Sequence, residues 1–435
     1  MNGKRNLPWI ALLLAALCVL SAGCGVQNEL PAPEESVTET EAEPVPTVQD
    51  GIVTVVDKNG NSEFRLLADG RFYQSPVYFT FLKTLKEKYG ADLVPDTSGD
   101  PYGSAPYELI IGDKGDGETY TELRQSLVNK QRFGIRVKQR EDGGVTVAVA
   151  YKSFETGCTA IRYLMDHYLT DDGFVLPLDT DVNKGITIKR DLTPVTVPGE
   201  LVLDVTVPDY KQFGNVQGGL FDGTLYYQAF AGTVNGREDA VIAVFDTDGN
   251  LIRESGPLGI WHANSLSDMG DGTILISEYH KDEEGNYTWS LLDKETLTIL
   301  DRGSLPFFAL SFDYSTDRAN YVCLHYDDIA IFLDQDMNEF MRTTYRFSPD
   351  TASQNFRQTE NGIYAVRYAW NDGGFANYLY EYDVNLIFRQ AYTFDFGGNY
   401  EIQSVSEADG EVYAFFGDHD DSHLKVYRLT MPENP

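Results

Sequence analysis

The sequence predicts an α+β N-terminal domain followed by an all-β propeller of five blades, closed by an N-terminal strand. Three observations lead there. Helical periodicity is confined to the first 192 residues, the pattern beyond them turns wholly to short strands, and a unit of some 40 to 50 residues recurs in that second part. The chain of 435 residues is long enough for two such domains, each with its own core. An aromatic content of 13%, with 27 Tyr and 24 Phe, favours pleated, half-buried surfaces.

Charge and cysteine usage narrow the class. The formal net charge of −33 would repel a polyphosphate backbone, so nucleic acid is set aside as a partner. Acidity on this scale keeps an extracellular protein soluble. Of the four cysteines, Cys18 and Cys24 belong to the N-terminal leader and Cys158 and Cys323 to the body. No Cys-x-x-Cys pair is present, so the expectation is two buried free thiols, with neither a zinc knuckle nor a redox motif.

Lys4 and Arg5 precede an unbroken apolar run over residues 9–20, the length of a secretory h-region and too short for a membrane span. The run leads into Leu20-Ser21-Ala22-Gly23-Cys24, which resembles the lipobox of bacterial lipoproteins. Ser21 stands where that family usually has Leu, which here is one place further back. The resemblance implies a signal peptide over residues 1–24, cleavage before Cys24, acylation of that residue, and extracytoplasmic anchoring to a bacterial membrane. Multiple acyl chains anchor durably where one does not. Residues 25–50 alternate Glu with Pro and contain no base, so they are expected to form a disordered tether. As a flexible coil it would reach roughly 30 Å.

Residues 51–192 mix periods. Ile52 to Val56 and Phe64 to Leu67 read as strands flanking Asn59-Gly60, a hairpin signal. Ser75 to Tyr89 reads as a helix with Val77, Phe81, Leu85 and Tyr89 on one stripe and Gly90 as its stop. Tyr107 to Ile111 is an apolar strand, Glu118 to Asn129 a second helix, and Phe133 to Gln139 with Val145 to Ala150 a hairpin. Ser153 to Tyr168 is a third helix, with Ser153 as N-cap.

Leu82-Lys-Thr-Leu-Lys-Glu-Lys-Tyr-Gly-Ala-Asp-Leu-Val-Pro, Glu108-Leu-Ile-Ile-Gly-Asp, Phe133-Gly-Ile-Arg-Val, Gly144-Val-Thr-Val-Ala and Thr156-Gly-Cys-Thr-Ala-Ile-Arg-Tyr-Leu resemble the small α/β domain that precedes the catalytic domain in many hexosaminidases and α-glucuronidases. In those families the domain is accessory, and no match to their catalytic barrel follows here. The resemblance therefore implies association with glycans and not hydrolysis.

Thr193 to Gly199 forms a short linker into the propeller domain, residues 193–435. Turn dipeptides followed by a β run recur at Asp222-Gly223, Asp271-Gly272, Asn361-Gly362 and Asp409-Gly410, with glycine intervals of 49, 90 and 48. The long interval holds a degenerate copy at Asp317 to Leu324. A second register places Asp246, Asp293, Asp334 and Asp383 at steps of 47, 41 and 49. Two interleaved repeats at one period indicate one copied supersecondary unit, and short strands with Asp-Gly turns at this period describe propeller blades. The last copy has only three strands, and Leu201 to Val207 is expected to supply the fourth, leaving no long exposed edge.

The candidate site is Trp261, His262 and Asn264, where the first strand of the second blade begins. An apolar plate, a titratable ring and an amide there can stack on and hydrogen-bond a sugar, or His262 can serve as a base. The alternative is that His262 and Asn264 satisfy backbone groups between blades. Gly417 to His423 carries metal-type side chains but reads as a hairpin tip, and Asp246, Asp248 and Asn250 open like a calcium loop whose later ligands are missing. No metal and no cofactor is expected. No phosphate loop, Gly-x-Ser-x-Gly elbow or His-Glu-x-x-His occurs, and carboxylates are too numerous for any pair to be singled out.

The leading expectation is a lipid-anchored surface protein whose propeller binds a ligand, a glycan or cell-wall polymer, without catalysis. The alternatives are a glycan-processing hydrolase or lyase with its site in the propeller channel, and a protein-interaction scaffold. Propellers host all three roles.

Overall fold

All three helices of the described residues precede residue 169, and from residue 195 onward the regular structure is strand. The computed structural model describes residues 47–432, apart from 70–74, 113–116, 189–190, 207–211, 235, 326–328, 372–373, 397–398 and 418–422. The leader, Cys24 and the tether up to residue 46 lie outside these residues. Of the expected tether, Val48–Gln49 forms a strand paired with Ile52–Asp57, so ordered backbone begins before residue 51.

Helix α1, Pro76–Tyr89, has the capping the sequence dictates: Ser75 accepts from Tyr78 N, proline fills the first turn, and Gly90 at φ 76° donates to Lys86 O. Its Phe81 and Leu85 are fully buried in one cluster with Cys158, Ile161 and Leu164 of helix α3, Phe154–Tyr168. Helix α2, Glu118–Ser126, stops three residues short of the expected Asn129. These helices flank a five-stranded sheet in the order Arg65–Ala68, Tyr107–Ile111, Val145–Tyr151, Arg132–Gln139, Asp181–Gly185. A second sheet joins Ile52–Asp57 to Gly173–Pro177.

The hairpin expected around Asn59-Gly60 does not form, because Ile52–Asp57 and Arg65–Ala68 belong to different sheets. The turn itself is present, with Gly60 at φ 83°. Its carboxylate, Asp57, takes the amide protons of Asn59 and Asn61 and the Asn61 side chain, and so ends the ladder. Burial opposes the charge on Asp57, but these donors together hold its carboxyl below the usual range.

Five antiparallel sheets follow. Sheet I comprises Asn215–Phe221, Tyr226–Val234, Arg237–Phe245 and Leu251–Glu254; sheet II, Ser265–Asp268, Thr273–Lys281, Tyr287–Asp293 and Ile299–Leu305. Sheet III comprises Ser311–Ser315, Asn320–His325, Ile329–Leu333 and Glu339–Thr344; sheet IV, Ala352–Gln358, Ile363–Asn371, Gly374–Tyr382 and Phe388–Phe394. Sheet V comprises Glu401–Ala408, Glu411–Gly417 and His423–Leu429, with Gly199–Thr206 antiparallel to the last as a fourth strand. Val207, the last residue of the expected closing segment, lies outside the described residues. Val195–Val197 runs parallel on the outer edge of sheet IV.

The first strand of each sheet neighbours that of the next, and sheet V's neighbours sheet I's, so the five close on themselves. Hydroxyls wire the closure. The Ser265 hydroxyl accepts from Phe312 N, Ser311's from Phe356 N, and Ser404's from Gly219 N; two residues on, Ser267, Asp313 and Ser406 accept from Tyr314, Gln358 and Phe221. Gly218, Ser265, Ser311, Asn355 and Ser404 thus hold one register at intervals of 47, 46, 44 and 49. Between sheets I and II the strands approach so closely that a Cβ on Gly218 would sit 2.9 Å from Ala263 O.

An Asp turn recurs through the molecule. Asp246, Asp334 and Asp383 each accept amide protons two and four residues on, with Gly249, Met337 and Leu386 in the left-handed region. The first two of these aspartates lie in exposed turns. The third, 3% exposed, is covered by the N-terminal helices: Asn385 Oδ1 accepts from Val77 N at 2.8 Å in the first turn of α1, and Arg162 of α3 donates to Asp383 at 2.7 Å.

Candidate functional site

Sheet II breaks its own ladder where the candidate residues lie. Thr273–Lys281 follows regular pairing to Ser277 and then shifts register before Lys281. Tyr279 in this bulge has φ 56°, and Ala263 across from it has φ 50°. A left-handed tyrosine is a strained, uncommon conformation, and bulges of this kind re-aim side chains. Two hydrogen bonds hold it: His262 N donates to Glu278 O at 3.0 Å and Asn264 N to Ser277 O at 2.9 Å.

The turn at Ala263 sends the three expected site residues in different directions. Trp261 stacks on His280, with ring centroids 3.9 Å apart and planes 13° from parallel. His262 Nδ1 hydrogen-bonds the Glu238 carboxylate of sheet I, and this bond, against the opposing effect of burial, holds the Glu238 carboxyl below its usual range. Asn264 presents its carbonyl to Asn355 Nδ2 of sheet IV at 3.2 Å, on the side of the first strands. Of the three, Trp261 lines the cavity at this end of the sheet.

That cavity has a volume of about 560 Å³ and lies at the end of sheet II where its second and third strands meet. The size is typical of small-molecule sites. Glu278, 2% exposed, lies in its wall, and both carboxylate oxygens accept hydroxyl protons, one from Thr288 at 2.7 Å and one from Ser290. Burial pushes the His280 imidazole below its usual range, with Glu278 and Asp282 pulling the other way, so the ring that backs Trp261 is neutral at pH 7. Arg302 closes the outer side by donating to Leu258 O and Gly259 O at 2.8 and 3.0 Å. The Asp282–Asn286 loop, built on another Asp turn with Gly285 at φ 88°, forms the lip.

An aromatic rim extends from this lip. The Tyr279 and Tyr287 rings both meet Phe308 edge to face, and Phe308 meets His325 of sheet III in the same way. A flat indole beside fixed hydroxyl and carboxylate oxygens suits a ligand with one apolar face and several hydroxyls.

Glu278, His280, Thr288 and Arg302 were not singled out by sequence reasoning. One signal was there: Ile274, Ile276 and Glu278 share the inward face of one strand, and a carboxylate in an apolar position marks a buried polar site. Trp289 is partly buried, with Gly303 leaving room beside its indole, whereas Trp370 is 69% exposed. The Gly417–His423 motif falls mostly outside the described residues; His423 itself lies between Tyr400 and Asp204, bonded at 2.7 and 2.5 Å. Among the described residues no group of His, Cys, Asp and Glu is arranged to hold a metal, and no helix is long and apolar enough to cross a membrane. Cys158 and Cys323 are buried and not joined in a disulfide, and burial pushes the Cys323 thiol well up.

The chain is mostly strand and propeller-like. No family model matches it, and a search of curated proteins finds no relative. Among solved structures it is similar to the tail fiber of Staphylococcus aureus phage P68, at 10% identity and a TM-score of 0.38 over 54% of this chain and 52% of the fiber. It is also similar to the β-propeller domain of Myceliophteria thermophila Cps50 (Swd1), at 9% identity and 0.34 over 54% of this chain and all of that domain. The matched part spans about half the length of the phage fiber.

Proposed function

We propose that the protein is a lipid-anchored, extracytoplasmic surface protein whose five-bladed propeller binds a glycan or cell-wall polymer at the Trp261 cavity without turning it over. The observation that carries this reading is the cavity itself: a backed indole beside a buried carboxylate whose oxygens are held by two hydroxyls. Sugar rings bind by stacking an apolar face on an aromatic plate while fixed polar groups take their hydroxyls. In the same reading the residues 51–192 form an accessory α+β domain, residues 25–46 a tether, and Cys24 the acylated anchor. Support for the anchor is the leader with Lys4, Arg5 and the apolar run before Leu20-Ser-Ala-Gly-Cys24.

An array of bacterial surface polysaccharides tests it. Wild type should bind at least one class and Trp261→Ala should lose it, whereas equal binding by both would refute the site. Mass spectrometry of the protein from its native membrane should find diacylglycerol on Cys24, and an unmodified N-terminus upstream of it would remove the anchor. A second reading, a hydrolase or lyase, is supported by Glu278 and His280, a carboxylate and an imidazole that share the cavity. New reducing or unsaturated ends after incubation with the bound polymer would favour it.

A further inference from the structure

The cavity wall and lip carry four carboxyl groups, those of Glu278, Asp282, Glu283 and Glu284, against two cations, Lys281 and Arg302. Neither cation is placed on Glu278. The Arg302 guanidinium is held by the carbonyls of Leu258 and Gly259, and Lys281 Nζ lies 4.9 Å from the Tyr287 ring centroid. His280 is neutral at pH 7, since burial lowers its pKa. Among the described residues the Glu278 carboxylate therefore has two hydroxyl donors and no countercharge, although it is 2% exposed.

A buried carboxylate is ordinarily matched by a cation, because the loss of hydration is large and hydroxyls offset only part of it. Here that residue lines the cavity. Glu283 and Glu284, both exposed on the lip, extend the negative field outward, where it raises the local concentration of cations. The missing countercharge is one a ligand can bring.

We propose that the cavity selects a saccharide bearing a protonated amine, a de-N-acetylated amino sugar unit, with the ammonium on Glu278 and the ring on Trp261. The proposal rests on the glycan-binding reading above and adds the charge of the ligand. An ammonium supplies three donors to carboxylate oxygens, and an N-acetyl group supplies one neutral donor with added bulk.

Titration calorimetry with two probes separates the layers: a glucosamine tetrasaccharide, at a pH where its amines are protonated, and its fully N-acetylated counterpart. Wild type should bind the amine form at least ten-fold more tightly, and the preference should shrink as salt rises. Glu278→Gln should abolish most of that preference, weakening the amine probe far more than the acetylated one. Trp261→Ala should weaken both. Should Glu278→Gln unfold, Glu283→Gln combined with Glu284→Gln, both exposed, should reduce the preference by about two-fold, and an unchanged preference would overturn the proposal. Equal or tighter binding of the acetylated probe overturns the charge assignment and leaves the glycan reading standing. Binding of neither probe, with a different polysaccharide bound through Trp261, overturns it equally; no saccharide binding at all removes both.

Discussion

Sheets II and IV are copies of one unit, and each departs from the common pattern at an opposite end. In sheet IV the departure is at the turn between the third and fourth strands, where Asp383, Asn385 and Leu386 lie under helices α1 and α3. In sheet II it is at the other end, where the bulge at Tyr279 opens the Trp261 cavity. The same Asp turn that stands in water at Asp246 has become an interface at Asp383. Leu386 occupies the left-handed position that Gly249 fills in sheet I, at φ 59° against 82°, and is only 7% exposed. Strain of about 1 kcal/mol is accepted there in return for packing. Repetition accounts for backbone, and departures from it mark the places with a second task.

The largest expected effect tests that contrast directly. Asp383→Ala leaves the turn amides and Arg162 without their acceptor and should destabilise the fold by about 3 kcal/mol. The equivalent exposed change, Asp246→Ala, should shift the unfolding midpoint far less. Similar shifts of the two unfolding midpoints in denaturant would break the comparison. Next in size is the clamp between sheets I and II, where Lys294 Nζ bridges Asp222 at 2.9 Å and Asp268 at 2.7 Å. Lys294→Met should cost about 2 kcal/mol by leaving two half-buried carboxylates uncompensated.

Smaller again is the hydroxyl wiring of the ring. Ser404→Ala removes the acceptor of Gly219 N and should cost about 1–2 kcal/mol, read as a lowered unfolding midpoint. The smallest effect is a pH dependence. Burial would raise the Asp222 pKa, but Leu225 N and Lys294 outweigh it, so the folded carboxyl lies below 3.8. The stability it contributes is present above that value and is lost as pH falls below it. Lys294→Met should flatten this acid limb, and an unchanged limb would show that the clamp does not set it.

The repeats were legible because they are made of glycines and aspartates whose turn chemistry is local. The helices were legible for the same reason, since Ser75, Gly90 and Ser153 cap from within one turn. The fate of Asn59-Gly60 was not, because whether two strands pair across a turn depends on where Arg65–Ala68 finds its partner, forty residues further on at Tyr107–Ile111. Trp261 was visible as a residue the other units lack. Its partners His280 and Glu278 were hidden, since only the bulge at Tyr279 brings them to one wall.

The most direct test uses the two sheets against each other. Trp370, at the end of the second strand of sheet IV, is more exposed than Trp261 and does not line the Trp261 cavity. Calorimetric titration of the tightest polysaccharide fragment should show Trp370→Ala within two-fold of wild type and Trp261→Ala weakened by about ten-fold or more, the value of one aromatic stack. Equal losses in the two variants, or a loss in Trp370→Ala alone, would contradict the assignment of the site to sheet II.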